Sequence, residues 1–386
     1  MHLRNEILEL KNLSQFFNPV EINFGRSCRE KLLADLGGKK YTLISSKRGR
    51  NFILKDPILS RLINSNLHYW VDDVIENPDI QYIEQIVKNI PNGSDLLLAV
   101  GGGSVIDVAK TISVLPYLMG SNGGYSWEKN NIENSALPVV VLPTTAGSGS
   151  EVTPFAALWD RFRGRKNSIS GRGLFPQAAY IDSELMEGAP IGVKLSCGLD
   201  AINQASESIW NRNATPTTIM LATSALKYGF RALPELINGD STDSRNSDMM
   251  AMASLLAGMA ISQTKTALCH SISYPLTISF GIPHGLACAF TMVSVLEVNI
   301  PFARERFQSL AKELLGNSGT IEGLIDLYKS LVLQLNVKSS VLEYVGNTSN
   351  LLDQINNMHT LGRADNNLAP VNYELIKKII YSSINK

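Results

Sequence analysis

Hydrophobic and polar positions follow a strand-like pattern in the first half of the chain. Short, continuous apolar runs alternate there with amphipathic stretches such as Ile80–Ile90 and Val105–Leu115, which are typical of helices. Runs rich in Leu and β-branched residues suit strands that are covered on both faces. Four such runs are predicted to be buried strands, namely Tyr41–Ser45, Leu96–Val100, Leu137–Leu142 and Ala178–Ile181. This alternation predicts a parallel α/β layer.

The pattern changes after Pro190, where long helical stretches follow one another with few β-branched runs. The sequence Gly188-Ala189-Pro190 interrupts the pattern and marks a domain boundary. A chain of 386 residues is long enough for two cores. The sequence therefore predicts an α/β dinucleotide-binding domain over residues 1–187 and an all-α domain over residues 188–386.

Composition narrows the class of partner. The chain is 18% charged and 44% hydrophobic, and its formal net charge is zero. This balance gives no electrostatic footprint for nucleic acid and no basic run for a membrane surface, so a small-molecule partner is expected. The opening segment carries Glu6 and Glu9 where a signal peptide needs an apolar core, which makes the cytoplasm the expected location. The four cysteines have no CxxC spacing that would predict a zinc ribbon or a disulfide framework: Cys28, Cys197, Cys269 and Cys288.

A glycine-rich turn is the first candidate site. In LLLAVGGGSVIDVAK, Leu96–Lys110, a predicted strand runs into three glycines and then a helix. Bare backbone amides and the positive end of a helix favour an anion such as a pyrophosphate. The motif is not GxGxxG, and a tight turn without a ligand is the alternative. The candidate cofactor-binding residues here are Gly101, Gly102, Gly103, Ser104 and Asp107.

Two further segments are candidates for holding the cofactor. The loop LPTTAGSGSEVTPF offers small hydroxyl residues, although a polar surface loop is the alternative; its candidates are Thr144, Thr145, Ser148 and Ser150. The segment Ser45–Arg50, SSKRGR, has three cations and no carboxylate after an early strand. A carboxylate there usually holds the ribose of NADH, so Ser46 and Lys47 favour NADPH slightly, unless this is a solvated basic turn.

A metal site is predicted in the second half. His270 and His284 lie in the otherwise apolar stretch Lys265–Gly285, and upstream GLDAINQASESIW places Asp200 and Gln204 on one helical face. Two imidazoles and a carboxylate suit a divalent metal such as Fe²⁺ or Zn²⁺. A single histidine in an apolar run is more often a core residue, and Asp200 alone would suit a helix cap.

The motifs together resemble the iron-containing (group III metal-dependent) alcohol dehydrogenases, which share their architecture with dehydroquinate synthase. They are NPDIQYIEQIV, AVGGGSVIDVAK, LPTTAGSGSEVTPFA, GLDAINQASES and the H-x3-YP…PHG segment. The resemblance implies a nucleotide-binding α/β domain, a helical metal- and substrate-binding domain, NAD(P)H, and a homodimer or larger assembly. It implies that Asp200, His270 and His284 are metal ligands. Gln204 stands where the family has a histidine four residues after the Asp, and it can offer its amide oxygen to the metal. Tyr274 stands where many members have a histidine that relays a proton.

The resemblance also extends to substrate. Three segments, ESIWNRNAT, CHSISYPLT and FGIPHGLACAF, are similar to those of phosphonoacetaldehyde reductases. Those enzymes form 2-hydroxyethylphosphonate in phosphonate biosynthesis. The phosphonate group could be bound by one or more of three cations, Lys265, Arg212 and Lys166. The alternative for Lys265 is a solvated position on a helix. The alternatives are a general short-chain aldehyde or alcohol dehydrogenase, a dehydroquinate-synthase-like lyase, and a binder that has lost its metal through Gln204.

The mechanism implied is hydride transfer from nicotinamide to an aldehyde polarised by the metal, with water or Tyr274 supplying the proton.

Overall fold

The computed structural model describes residues 15–120, 124–163, 165–239 and 243–385. The chain divides into two compact units, Asn18–Val193 and Lys194–Lys386, and residues 15–17 belong with the second. The sequence-based boundary after Glu187 stays a prediction; it falls at the end of a short helix, Glu184–Glu187.

The first unit is built on a parallel sheet of six strands in the order β1-β8-β5-β4-β2-β3. An antiparallel pair, β6 and β7, forms a second sheet. The parallel sheet confirms the predicted fold class of this half. The strands are β1 (Glu21–Phe24), β2 (Tyr41–Ile44), β3 (Leu67–Val71), β4 (Leu96–Gly101), β5 (Val139–Pro143), β6 (Phe155–Asp160), β7 (Arg165–Ser170) and β8 (Ala178–Ile181).

The four central strands bury every residue, because their Leu- and Val-rich runs are covered on both faces. The edge strands β1 and β3 remain partly exposed. Apolar side chains from strands and helices meet in one core, which includes Leu32, Leu43 and Leu98. The helices of this unit are α1 (Arg29–Asp35), α2 (Lys47–Lys55), α3 (Ile80–Val87), α4 (Gly103–Leu118) and α5 (Glu184–Glu187).

The second unit is helical throughout its described residues, which confirms the predicted all-α class. Its helices are α6 (Ile191–Ile209), α7 (Pro216–Asn238), α8 (Ser244–Thr264), α9 (Leu268–Phe280), α10 (His284–Asn299), α11 (Arg304–Leu315), α12 (Ile321–Gln334), α13 (Val337–Val345), α14 (Thr348–Asp353) and α15 (Tyr373–Asn385). Within the described ranges, the stretch His284–Phe302 is long and apolar enough to cross a membrane by length and composition. Its most apolar part is 78% buried inside the protein, which is how the core helix of a globular unit is placed.

A buried lysine ties α4 to the segment that leads into β6. The ammonium of Lys110 donates to Ser150 Oγ at 2.9 Å, to both oxygens of Thr153 at 2.9 and 3.1 Å, and to the Phe155 carbonyl at 3.1 Å. Burial lowers the pKa of Lys110 to about 8, while Asp107 and Glu151 act in the opposite direction. Lys110 is therefore charged at neutral pH and balances buried carboxylates.

We expect Lys110→Met to destabilise the α/β unit by about 3–5 kcal/mol, because it leaves buried carboxylates without their cation. Urea unfolding, with hydrogen exchange of β4 and α4 as the local readout, measures the change. Lys88→Met removes an exposed lysine from the same unit and should change stability by less than about 0.5 kcal/mol. Equal stabilities for the two variants would contradict this role of Lys110.

Candidate functional site

Four side chains in the helical unit bring potential metal ligands together. Asp200 comes from α6, His270 from α9, and His284 and Cys288 from α10. One ligand atom from each lies within 4.8 Å of all the others. Three of the side chains are buried and His284 is partly exposed. The helices thus place the predicted residues Asp200, His270 and His284 in one cluster.

The donor set fits a divalent metal. His270 Nε2 lies 3.3 Å from Asp200 Oδ1, and Cys288 Sγ lies 3.9 Å from His284 Nε2. Bonds of about 2.0–2.1 Å to nitrogen and oxygen, at tetrahedral angles, place neighbouring donors about 3.3 Å apart. The His270–Asp200 spacing matches that value, and the ligand atom of His284 lies within 4.8 Å of both, so these three side chains would fit a first-row divalent ion.

Glu207 fixes the orientation of His270. Its buried carboxylate accepts hydrogen bonds from the amides of Ala267 at 2.6 Å, of Cys269, and of His270 at 3.2 Å, at the start of α9. The same carboxylate lies 2.8 Å from His270 Nδ1. An imidazole that donates from Nδ1 to a carboxylate presents Nε2 to the metal, as metal-bound histidines usually do. Sequence reasoning had assigned Glu207 no part in the site.

The protonation of His270 is set by these neighbours. Burial by itself lowers the pKa of His270, but Cys288, Glu207 and Asp200 together raise it well above the ordinary value. In the protein without a metal, His270 therefore holds a proton that an incoming ion must displace.

Gly285 allows α10 to approach α6 closely. A Cβ at this position would lie 1.8 Å from the Ser196 carbonyl oxygen and 2.8 Å from the Asp200 amide nitrogen. The Gly285 amide also donates to Ser196 Oγ at 3.2 Å. Because His284 precedes Gly285 directly, this backbone contact sets the spacing between His284 and Asp200.

The two residues that depart from the family pattern lie beside the cluster. The buried amide of Gln204 donates from Nε2 to Asp200 Oδ2 at 3.1 Å. The ring of Tyr274 stacks on that of His284, with centroids 5.9 Å apart and planes 14° from parallel. Gln204 thus supports a ligand through its nitrogen, and Tyr274 packs against another ligand. Their predicted roles, metal binding for Gln204 and proton donation for Tyr274, stay predictions.

Cys288 is the member of the cluster that sequence reasoning missed. The four cysteines had been examined only for CxxC pairing, and Cys288 belongs to no such pair. The available signal was its spacing of four residues from His284 in HGLAC, which places both side chains on one face of a helix.

The three candidate anion-binding residues lie in different parts of the chain, two in the helical unit and one in the α/β unit. Lys265 is exposed and follows α8 with a backbone φ of +61°, so it does not share a helix with His270. Arg212 is also exposed, and its amide donates to the Asn366 carbonyl at 2.8 Å. Lys166 belongs to the α/β unit, where its ammonium lies 5.5 Å from the Trp159 ring centroid. Their contact with a substrate stays a prediction.

The cofactor candidates gather at the carboxyl ends of β2, β4 and β5. These strands are neighbours, and the chain order reverses between β2 and β4. Open α/β sheets bind ligands outside the carboxyl ends of their strands at such a switch point. Ser46 and Lys47 follow β2, Gly101–Ser104 lie at the end of β4, and the Thr144–Ser150 loop follows β5. Three segments that are distant in sequence therefore meet at one edge.

The glycine turn packs tightly under that loop. A Cβ on Gly103 would lie 2.5 Å from Ser148 Oγ, and one on Gly102 would lie 3.0 Å from Thr145 Oγ1. The Thr144 amide donates to the Gly101 carbonyl at 3.0 Å. Helix α4 begins with no side-chain cap, so its first amides are donors suited to a pyrophosphate.

Several of the other candidates already make hydrogen bonds within the protein. Ser104 Oγ accepts from the Asn77 amide at 3.2 Å, and Ser46 Oγ caps α2 by accepting from the Gly49 amide at 3.0 Å. Asp107 accepts from Ser150 Oγ at 2.5 Å and from the Ala157 amide at 2.9 Å. In these positions Asp107 and Ser150 stabilise the turn and loop that would hold a cofactor.

One of the three cations in the predicted basic corner is paired, because Arg50 forms an ion pair with Asp72. Arg48 donates to the neutral Gly188 carbonyl at 2.7 Å and keeps its charge. Lys47 is exposed at the first position of α2. The preference for NADPH therefore depends mainly on Lys47 and Arg48.

We expect Glu207→Gln to weaken metal binding by about 10–100-fold, as is usual when the carboxylate behind a metal-bound histidine is lost. The amide NH₂ would face N–H donors that the carboxylate now accepts, and His270 would lose its fixed tautomer. Chelator competition measures the metal dissociation constant. Glu305→Gln, an exposed position in the first turn of α11, is the control. Unchanged affinity in Glu207→Gln would contradict the orienting role.

We expect Gly285→Ala to reduce metal affinity, by about 100-fold or more, because the added methyl would push α10 away from α6 and separate His284 from Asp200. The same chelator competition checks it, with circular dichroism to verify the helical fold. Gly192→Ala is the matched control, since a Cβ on Gly192 meets no atom within 4 Å. Wild-type affinity in Gly285→Ala would show that the close approach does not set the site.

Two family models match consecutive parts of the chain. Residues 19–183 match the model for iron-containing alcohol dehydrogenase, and residues 194–383 match the C-terminal model of the Fe-containing alcohol dehydrogenase family.

Curated relatives agree with this assignment. A probable alcohol dehydrogenase, EutG of Escherichia coli, is 33% identical over 64% of this chain, but the match covers only 62% of EutG. The NAD-dependent methanol dehydrogenase of Bacillus methanolicus is 30% identical over 79% of this chain and 81% of its own length. The phosphonoacetaldehyde reductase of Streptomyces viridochromogenes is 35% identical over 53% of each protein.

Solved structures share the fold. The sulfoacetaldehyde reductase of Bifidobacterium kashiwanohense, in complex with NAD⁺, superposes with a TM-score of 0.83 at 24% identity, covering 97% of this chain and all of that one. Its likeness and the family models extend over both compact units. The chain belongs to the iron-containing alcohol dehydrogenase family.

Proposed function

We propose that this protein reduces a small aldehyde to the primary alcohol with NAD(P)H and a divalent metal, and that phosphonoacetaldehyde is its preferred substrate. The reaction is aldehyde + NAD(P)H + H⁺ → alcohol + NAD(P)⁺, and the product would be 2-hydroxyethylphosphonate. The cluster of Asp200, His270, His284 and Cys288, of which only His284 is partly exposed, is the observation that carries the proposal.

The chain's own residues have distinct roles in this reaction. Asp200, His270 and His284 would hold the metal, which when bound polarises the carbonyl oxygen, while the nicotinamide supplies the hydride. Glu207 keeps His270 in the tautomer that binds. Tyr274, which stacks on His284, is positioned near a ligand and can return a proton through its phenol. A phenol is a poorer proton shuttle at neutral pH than an imidazole, and we expect aldehyde reduction to need this relay less than polyol oxidation does.

The α/β unit would bind the cofactor. The uncapped start of α4 offers amides to the pyrophosphate, and the Thr144–Ser150 loop closes over the same turn. Lys47 favours the 2′-phosphate of NADPH, whereas the pairing of Arg50 with Asp72 weakens that preference.

Support for an anionic substrate comes from the sequence and from one relative. The phosphonoacetaldehyde reductase of Streptomyces viridochromogenes is similar over about half of this chain. Lys265 and Arg212 are exposed cations that follow α8 and α6. Their segments are joined, because Asn211 Nδ2 donates to the Lys265 carbonyl at 3.1 Å. A phosphonate dianion would gain charge-assisted hydrogen bonds from such a pair.

The test is NADPH and NADH oxidation with phosphonoacetaldehyde, sulfoacetaldehyde, acetaldehyde and propanal, after loading with Fe²⁺, Zn²⁺ or Mn²⁺. We expect kcat/KM for phosphonoacetaldehyde to exceed that for propanal by at least tenfold, since a paired dianion adds about 1.5–3 kcal/mol of binding. We expect Lys265→Ala to raise KM for the phosphonate by about tenfold, with little effect on propanal.

Lys312→Ala, which removes an exposed lysine from α11, is the control for Lys265→Ala. Equal efficiency on phosphonoacetaldehyde and propanal would overturn the substrate proposal and leave a general short-chain aldehyde reductase. Turnover without net cofactor oxidation would instead indicate a lyase and overturn the proposed reaction.

A further inference from the structure

We infer that Cys288, as a thiolate, is a protein ligand of the metal, and that it takes over the coordination position that residue 204 would occupy as a histidine. The ion would then be held by Asp200, His270, His284 and Cys288. This inference rests on the metal site of the proposed function and concerns its fourth ligand.

The position of Cys288 supports direct coordination. It lies one helical turn after His284 on α10, so both side chains face the same way. Its side chain is completely buried, and Sγ is one of the four atoms that lie within 4.8 Å of one another. A tetrahedral ion with bonds of about 2.3 Å to sulfur and about 2.0–2.1 Å to nitrogen places these donors about 3.6 Å apart. The observed distance from Sγ to His284 Nε2 is 3.9 Å, so a small side-chain shift brings both onto one ion.

The position of Gln204 is consistent with Cys288, and not residue 204, being the fourth metal ligand. Its Nε2 donates to Asp200 Oδ2, so the amide acts as a donor to a metal ligand, while its oxygen is the atom that carries lone pairs for a metal. Reversing the amide would place its oxygen against a carboxylate oxygen, where two acceptors repel. Asp200 Oδ1 faces His270 Nε2 while Oδ2 takes the amide hydrogen. Gln204 thus orients Asp200, as outer residues commonly orient metal ligands.

Coordination by Cys288 changes the chemistry of the ion. The thiol loses its proton to solvent as the sulfur–metal bond forms, so the dication and two anionic ligands sum to zero charge. A site with one carboxylate and three neutral ligands keeps one positive charge. Soft thiolate sulfur favours Zn²⁺ over harder ions such as Mn²⁺. We therefore expect the site to prefer Zn²⁺ to Mn²⁺.

The test reads the metal–sulfur bond rather than activity. X-ray absorption of the Zn²⁺-loaded full chain should show a sulfur neighbour at about 2.3 Å besides nitrogen and oxygen. The Co²⁺-loaded protein should show a thiolate-to-cobalt charge-transfer band in the near ultraviolet. Cys288→Ser and Cys288→Ala should lose both signals, and Zn²⁺ affinity should fall at least tenfold.

Two variants serve as controls. Cys269→Ala removes a buried thiol that is outside the cluster, and Gln204→Ala removes the alternative ligand. Both should keep the charge-transfer band and the sulfur neighbour. If the Cys288 variants do not fold, the wild-type absorption spectrum decides alone.

A wild-type ion with only nitrogen and oxygen neighbours would overturn the role of Cys288 and leave the metal-dependent reductase intact. The same holds if Gln204→Ala, rather than Cys288→Ser, removes a neighbour of the ion. A chain that binds no metal but still oxidises NAD(P)H with aldehydes would overturn this inference and the metal dependence together.

Discussion

The carboxylate of Glu207 is the interaction on which the metal cluster depends. It is fully buried, and it accepts from the amides at the start of α9 and lies against His270 Nδ1. A buried carboxylate is stable only where hydrogen bonds replace its lost hydration. The positive end of α9 supplies those bonds, and the same carboxylate orients the imidazole. Glu207 thus stabilises the start of α9 and also orients His270, so the geometry of the metal ligands depends on the helical fold.

The second constraint is backbone contact between α6 and α10. Asp200 and His284 belong to helices 84 positions apart in sequence, and Gly285 lets them meet because it has no Cβ to collide with Ser196. Since α10 is buried along nearly its whole length, it cannot slide to relieve a collision. His284 and Cys288 are therefore held against Asp200 by packing that extends well beyond the site.

The sequence predicted the central strands and not the edges, for a physical reason. Strands β4 and β8 are covered on both faces and read as continuous apolar runs, whereas β1, with the sequence EINF, lies at an edge and carries polar residues. The antiparallel pair β6 and β7 was missed as well, because Arg165–Ser170 is mostly polar. Predicted helix ends differed by a few residues, since tertiary contacts set where helices fray.

The sequence identified the site residues whose side-chain type suggests metal binding. It missed those whose role depends on where the fold places them. A carboxylate or an imidazole is unusual within an apolar stretch of sequence, which is why Asp200, His270 and His284 were noticed. Cys288 resembles any small core residue until α10 is placed beside α6 and α9. The orienting role of Glu207 depends on a residue 63 positions away, which no local pattern reveals. Lys110 is similar, because its partners Ser150, Thr153 and Phe155 come from a later loop.

The polar cluster around Lys110 and the one around Asp200 differ in how their charges are balanced. In the α/β unit, Lys110 is a cation at neutral pH that compensates Asp107 and Glu151, so that cluster contains its own cation within the chain. In the helical unit, amides at the positive end of α9 compensate Glu207. Asp200 instead lies beside His270 and Cys288, whose charges both depend on protons. A divalent ion held by this cluster would displace the proton of His270 and that of Cys288, and its two charges would balance Asp200 and the thiolate. The first cluster stabilises a fold, because its cation is a lysine ammonium that makes four contacts. The second is suited to receive an ion, because its positive charge is an imidazole proton that a metal can displace.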